Sequence, residues 1–162
     1  MAQSHFFGTF LFQQGHVEEA VASFERALQL TPDKGLVERN LGGAYHQLGR
    51  DDEAAAALQR SLEIKPTALA FSNLGTIVFL GRVPESVSAF EKATVLAPSQ
   101  YVNWGNLADA YRWLPGQHQK AREAYGKAIK LVRAEISRTR WSRTCMGVWQ
   151  CTCQSAETAT TR

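Results

Sequence analysis

The 162-residue chain is 44% hydrophobic and 20% charged, enough to bury the core of one domain and too short for several. A net charge of +3 without a run of like charges gives no electrostatic footprint for nucleic acid, and no apolar run approaches the roughly 20 residues of a membrane span. Neither nucleic acid nor membrane is expected as a partner. The apolar stretch 6–12 follows no positive residue and precedes no cleavage site, so a cytoplasmic protein is the expectation.

From the N-terminus, the pattern predicts a helix through Phe7, Gly8 and Leu11, a turn at Gly15, and a second helix with Ala20, Phe24 and Ala27 that stops at Pro32. The next unit repeats the order with Leu41, Gly42 and Tyr45, a turn at Gly49, then Ala54, Leu58, Ser61 and Pro66. A third carries Leu74, Gly75 and Val78, Gly81, then Ser86, Phe90, Ala93 and Pro98. The fourth carries Leu107, Ala108 and Tyr111, Pro115-Gly116, then Ala121, Tyr125 and Ala128. The period is about 34 residues.

The small residue beside each large apolar one lets two helices approach, and the small-large-small series of the second helix fills that hollow. Each period therefore reads as an antiparallel helix pair. Gly15, Gly49 and Gly81 suit a left-handed helix end, and Pro84 suits the first position of its helix. Glu18-Glu19, Asp51-Asp52-Glu53 and Glu85 open second helices, where negative charge complements the helix dipole.

These divisions give repeats at about 1–34, 35–67, 68–100 and 101–134, with the last helix extended to about Arg138, so that 1–138 is one domain. Residues 139–162, rich in Thr, Ser and Cys, read as an irregular or disordered tail. Cys145, Cys151 and Cys153 lack the paired spacing of a zinc site. His5, His16, His46 and His118 stand in no relation to a nucleophile or a phosphate loop. No enzyme, cofactor or metal is expected.

The recurring positions resemble the tetratricopeptide-repeat family over about residues 1–134. Ser4 and Glu38 depart from it where an aromatic is usual, while Phe71 and Trp104 follow it. The stretch 101–137, with Asn103-Trp104-Gly105-Asn106-Leu107-Ala108 and Tyr111-Arg112-Trp113, is also similar to repeat regions of bacterial serine/threonine kinases and related signalling proteins. The resemblance implies an all-α fold, a right-handed superhelical solenoid of four antiparallel helix pairs. Its inner face, lined by the first helix of each pair, is expected to be a non-catalytic site for a protein or peptide.

The residues expected to line that groove are His5, Phe6, Thr9 and Phe12, then Arg39, Asn40 and His46, then Asn73, Thr76 and Phe79, then Asn106, Asp109, Arg112 and Trp113. Asn40, Asn73 and Asn106 share one register and form a ladder whose amides can hold a peptide backbone without reading its sequence. The competing reading is that they only brace neighbouring helices. The family's clamp for chaperone C-termini is largely missing, because His5, Thr9, Leu69 and Asn73 replace its residues and only Asn40 agrees. A self-assembling scaffold, joined through exposed solenoid ends, is the alternative function.

Overall fold

The structure is a computed structural model that describes the backbone of residues 3–157 and the side chains of residues 5–138. Its eight helices are α1 (Gln3–Gln13), α2 (Val17–Leu30), α3 (Lys34–Gln47), α4 (Asp51–Ile64), α5 (Ala68–Val78), α6 (Val83–Leu96), α7 (Tyr101–Trp113) and α8 (His118–Glu157). Each packs on its neighbours in sequence. In addition α1, α3, α5 and α7 touch one another in succession, whereas α2, α4, α6 and α8 do not. The odd helices are thus the crowded inner layer and the even ones the splayed outer layer of a right-handed solenoid of four helix pairs.

Close approach within each pair depends on the small residues. A Cβ added at Gly8 would lie 2.7 Å from the Phe24 ring, at Gly42 2.6 Å from Leu58 Cγ, and at Gly75 2.7 Å from the Phe90 ring. The fourth pair has Ala108 at this position, and Tyr125, its large partner, is only half-buried. Two core clusters result. One runs from Leu11 to Val78, and the other joins Val87 and Phe90 to Leu107, Tyr111 and Ala124.

Local chemistry ends the helices where the sequence indicates, with two corrections. Gly15, Gly49 and Gly116 have φ of 85°, 73° and 75°, but Gly81 is not among the left-handed residues. The third turn is one residue shorter, and it closes through Arg82 N–H donating to the Val78 carbonyl at 2.8 Å instead. Pro84 occupies the second position of α6, after Val83, where its missing donor is equally harmless. The acidic residues do open α2, α4 and α6, while Asp33 and Thr67 cap α3 and α5 by accepting from Leu36 and Ala70 N–H.

The backbone of α8 continues to Glu157, past the end at Arg138 that composition suggests. No proline follows Pro115, so nothing there removes a backbone donor. The side chains beyond Arg138, including the three cysteines, and all of 158–162 lie outside the described residues. Among the described residues no helix is long and apolar enough to cross a membrane.

Two periodic polar contacts tie the layers together. Tyr45 hydroxyl donates to Glu25 at 2.9 Å, and Tyr111 donates to Glu91, each from an odd helix to the preceding even one. A cation on the even helix meets the aromatic position of the odd helix: Lys92 lies 5.4 Å from the Phe71 ring and Lys127 4.1 Å from that of Trp104. Where Glu38 replaces the aromatic, Arg60 binds it in bidentate fashion at 2.8 and 2.9 Å.

Candidate partner-binding groove

Along the inner layer, the side chains between the packing positions surround two hollows. The first, about 300 Å³, is lined by Thr9, Phe12, Gln13, Phe24, Arg39, Asn40, Gly43, Leu69 and Asn73, drawn from α1, α2, α3 and α5. A second, about 140 Å³, is lined by Thr76, Phe79, Phe90, Asn106 and Asp109 from α5, α6 and α7. Their floors are apolar because the glycines leave the edges of Phe24 and Phe90 uncovered. Their rims are polar amides, hydroxyls and one charge each.

That charge has opposite sign at the two ends. Arg39 donates to Asn40 Oδ1 at 3.3 Å, which leaves its remaining N–H groups to approach a ligand. Asp109 accepts from the Tyr125 hydroxyl, and this hydrogen bond, with burial second, raises the Tyr125 pKa above its ordinary value. Asn106 donates to Ser72 Oγ at 3.4 Å, a long contact that braces α7 against α5 and leaves the amide oxygen uncommitted to that bond. Thr9 and Thr76 each donate to the carbonyl four residues earlier, His5 and Ser72, both at 3.0 Å.

Nine of the expected groove residues thus meet around the hollows: Thr9, Phe12, Arg39, Asn40, Asn73, Thr76, Phe79, Asn106 and Asp109. Five stand elsewhere. His5 packs its ring 6.2 Å from that of Phe24, and its Nδ1 has no hydrogen-bond partner among the described residues. Phe6 shares the register of the three asparagines but is 68% exposed. His46 is turned to Asp51 at the start of α4, 2.7 Å away. Arg112 is exposed, and Trp113 stands on the rim with its edge toward Phe79, centroids 6.5 Å apart.

Leu69 and the two phenylalanines of the floor are the lining residues that sequence reasoning did not place in the groove. Phe24 and Phe90 read as core, which they also are. The signal was available in the glycine opposite each of them, since a residue without a side chain exposes whatever packs on it. Among the described residues no group of three His, Cys, Asp or Glu is arranged to hold a metal.

Two family profiles, both described as Tetratricopeptide repeat, match residues 8–68 and 102–133. The Hsp70-Hsp90 organizing protein of Triticum aestivum is 30% identical over 124 residues, 75% of this chain and 21% of that protein. The Small glutamine-rich tetratricopeptide repeat-containing protein 2 of Mycosarcoma maydis is 31% identical over 91 residues, 55% of this chain and 26% of that protein. The chain therefore spans about a quarter or less of the length of these curated relatives. Among solved structures, a crystal structure of MamA superposes with a TM-score of 0.77 at 20% identity, covering 83% of this chain and 79% of that one. MamA from Desulfovibrio magneticus RS-1 gives 0.73 at 22%, covering 81% and 75%. At such identity these likenesses speak to the fold alone. With four glycine- or alanine-notched helix pairs and both profile matches in agreement, the chain belongs to the tetratricopeptide-repeat family and is a protein–protein interaction module.

Proposed function

We propose that this chain holds an extended peptide segment of a protein partner along the inner face of α1, α3, α5 and α7 and performs no chemistry on it. The observation that carries the reading is the pair of hollows, each with an apolar floor and a polar rim, set in successive repeats along one face. Apolar side chains of the peptide would seat against Phe12, Phe24 and Leu69 and against Phe79 and Phe90. Asn40, Asn73 and Asn106 would hold its backbone.

Docking of chaperone C-termini is disfavoured although one relative is a Hsp70-Hsp90 organizing protein, because no lysine lines either hollow and Arg39 is the one cation. The similarity of 101–137 to repeat regions of bacterial serine/threonine kinases supports a second setting, in which this module is the repeat portion of a larger signalling protein. That the curated relatives are several times longer than the matched region fits such a use.

Peptide display against the purified chain tests the groove. Enriched peptides are expected to bind the native chain and to lose about 10- to 100-fold in affinity when Asn40, Asn73 and Asn106 are all changed to Ala, as expected for a few lost hydrogen bonds. The melting temperature should hardly change. A large loss of stability with unchanged affinity would instead make the asparagines braces between helices.

A further inference from the structure

The joint that links each helix pair to the next is built three times inside the chain, at α2–α3, α4–α5 and α6–α7. In the first and last of these, Val21 and Val87 of the even helix and Ala44 and Ala110 of the odd helix are buried. Each half of the joint also occurs once without a partner. Among the described residues no helix covers the outer face of α1 or the corresponding face of α8. There Phe7 and Phe10 are 57% and 56% exposed, and Ile129 is 50% exposed.

These two free faces differ from the internal ones in ways that compensate. Internally Glu25 and Glu91 receive the hydroxyls of Tyr45 and Tyr111. On the free faces Gly126 stands at the glutamate register and Leu11 at the tyrosine register, so neither brings a polar group that needs the other. Phe10 stands where Ala44 and Ala110 are, which moves bulk from the even helix to the odd one. A Cβ added at Gly126 would meet nothing within 4 Å, so α8 carries a notch on that face. Helix α1 has no charged residue. Arg122, at the register of Val21, is the one cation the joint must accommodate, and an arginine over an aromatic ring already occurs here, with Arg50 4.6 Å from the Tyr45 centroid.

We propose that a second copy of this chain docks head to tail, the Phe7 and Phe10 face of α1 lying on the Gly126 and Ile129 face of α8. Phe10 fills the notch, Arg122 lies across a phenylalanine ring, and the solenoid continues from one copy into the next. The contact is heterologous, so it generates open chains whose length grows with concentration. It is independent of peptide binding in the groove.

Sedimentation velocity over a wide range of concentrations tests the joint. The native chain is expected to show a sedimentation coefficient that rises with concentration, whereas Phe10→Glu and Ile129→Glu each stay monomeric. An equimolar mixture of the two variants is expected to form a one-to-one dimer and stop there, because each retains one intact face. Gly126→Leu, which closes the notch at a position that tolerates a side chain, should also abolish association and guards against misfolding of Ile129→Glu. A native chain that is monomeric throughout would overturn the proposal. So would α8 variants that associate like the native chain, the mark of α1 pairing with itself, or a mixture that fails to pair.

Discussion

A methyl group at Gly75 would sit 2.7 Å from the Phe90 ring, closer than carbon atoms pack, and the ring is held by buried neighbours. Gly75→Ala is therefore expected to destabilise the chain by about 1–3 kcal/mol in urea unfolding. Gly105→Ala is the control, since its Cβ would meet nothing within 4 Å, and a helix-favouring residue there should add about 0.5–1 kcal/mol. Tyr111 makes a third residue-scale prediction. Burial, then the hydrogen bond to Glu91, push its pKa from 10.0 up to about 12. The unfolded chain then releases this proton first, so the stability the phenol contributes is intact below pH 10 and is lost as pH rises toward 12. Melting temperatures of native chain and Tyr111→Phe should differ in slope over that window, with the native chain falling more steeply.

At the scale of helices, the repeat was legible because packing imposes it: Gly8, Gly42 and Gly75 oppose Phe24, Leu58 and Phe90, and the sequence shows both sides of each contact. The third turn was misread because a glycine at the right register need not be left-handed when the turn is one residue shorter. The reach of α8 was misread because Thr- and Cys-rich composition speaks against a helix only weakly when no proline intervenes. Contacts between helices were not legible at all. Glu38 was visible as a departure from the family pattern, but its partner Arg60 lies on another helix and nothing in the local pattern names it. Arg60→Ala is expected to cost about 1–2 kcal/mol, since it leaves a nearly buried carboxylate without its bidentate partner while Arg60 itself is half in water. Chemical denaturation of the variant measures this, and no loss would mean that water replaces the guanidinium freely.

At the scale of the whole molecule, the even helices do not touch each other while the odd ones do, and that asymmetry makes the inner face concave. The groove was largely legible in the sequence for this reason: once the packing positions are assigned, the residues between them on the odd helices have only the inner face to occupy. What the sequence could not distinguish was a groove position from a turn or an end. His46 shares the register of Phe12 and Phe79 yet is drawn to Asp51, and Phe6 shares the register of the asparagines yet lies outside both hollows. The central claim is that the concave face is where a partner segment binds. Amide chemical-shift mapping of the labelled chain, titrated with a peptide enriched by display, tests it most directly. The account predicts shifts concentrated at Thr9, Arg39, Asn40, Asn73, Asn106 and Asp109. Shifts confined to the outward faces of α2, α4 and α6 would contradict it.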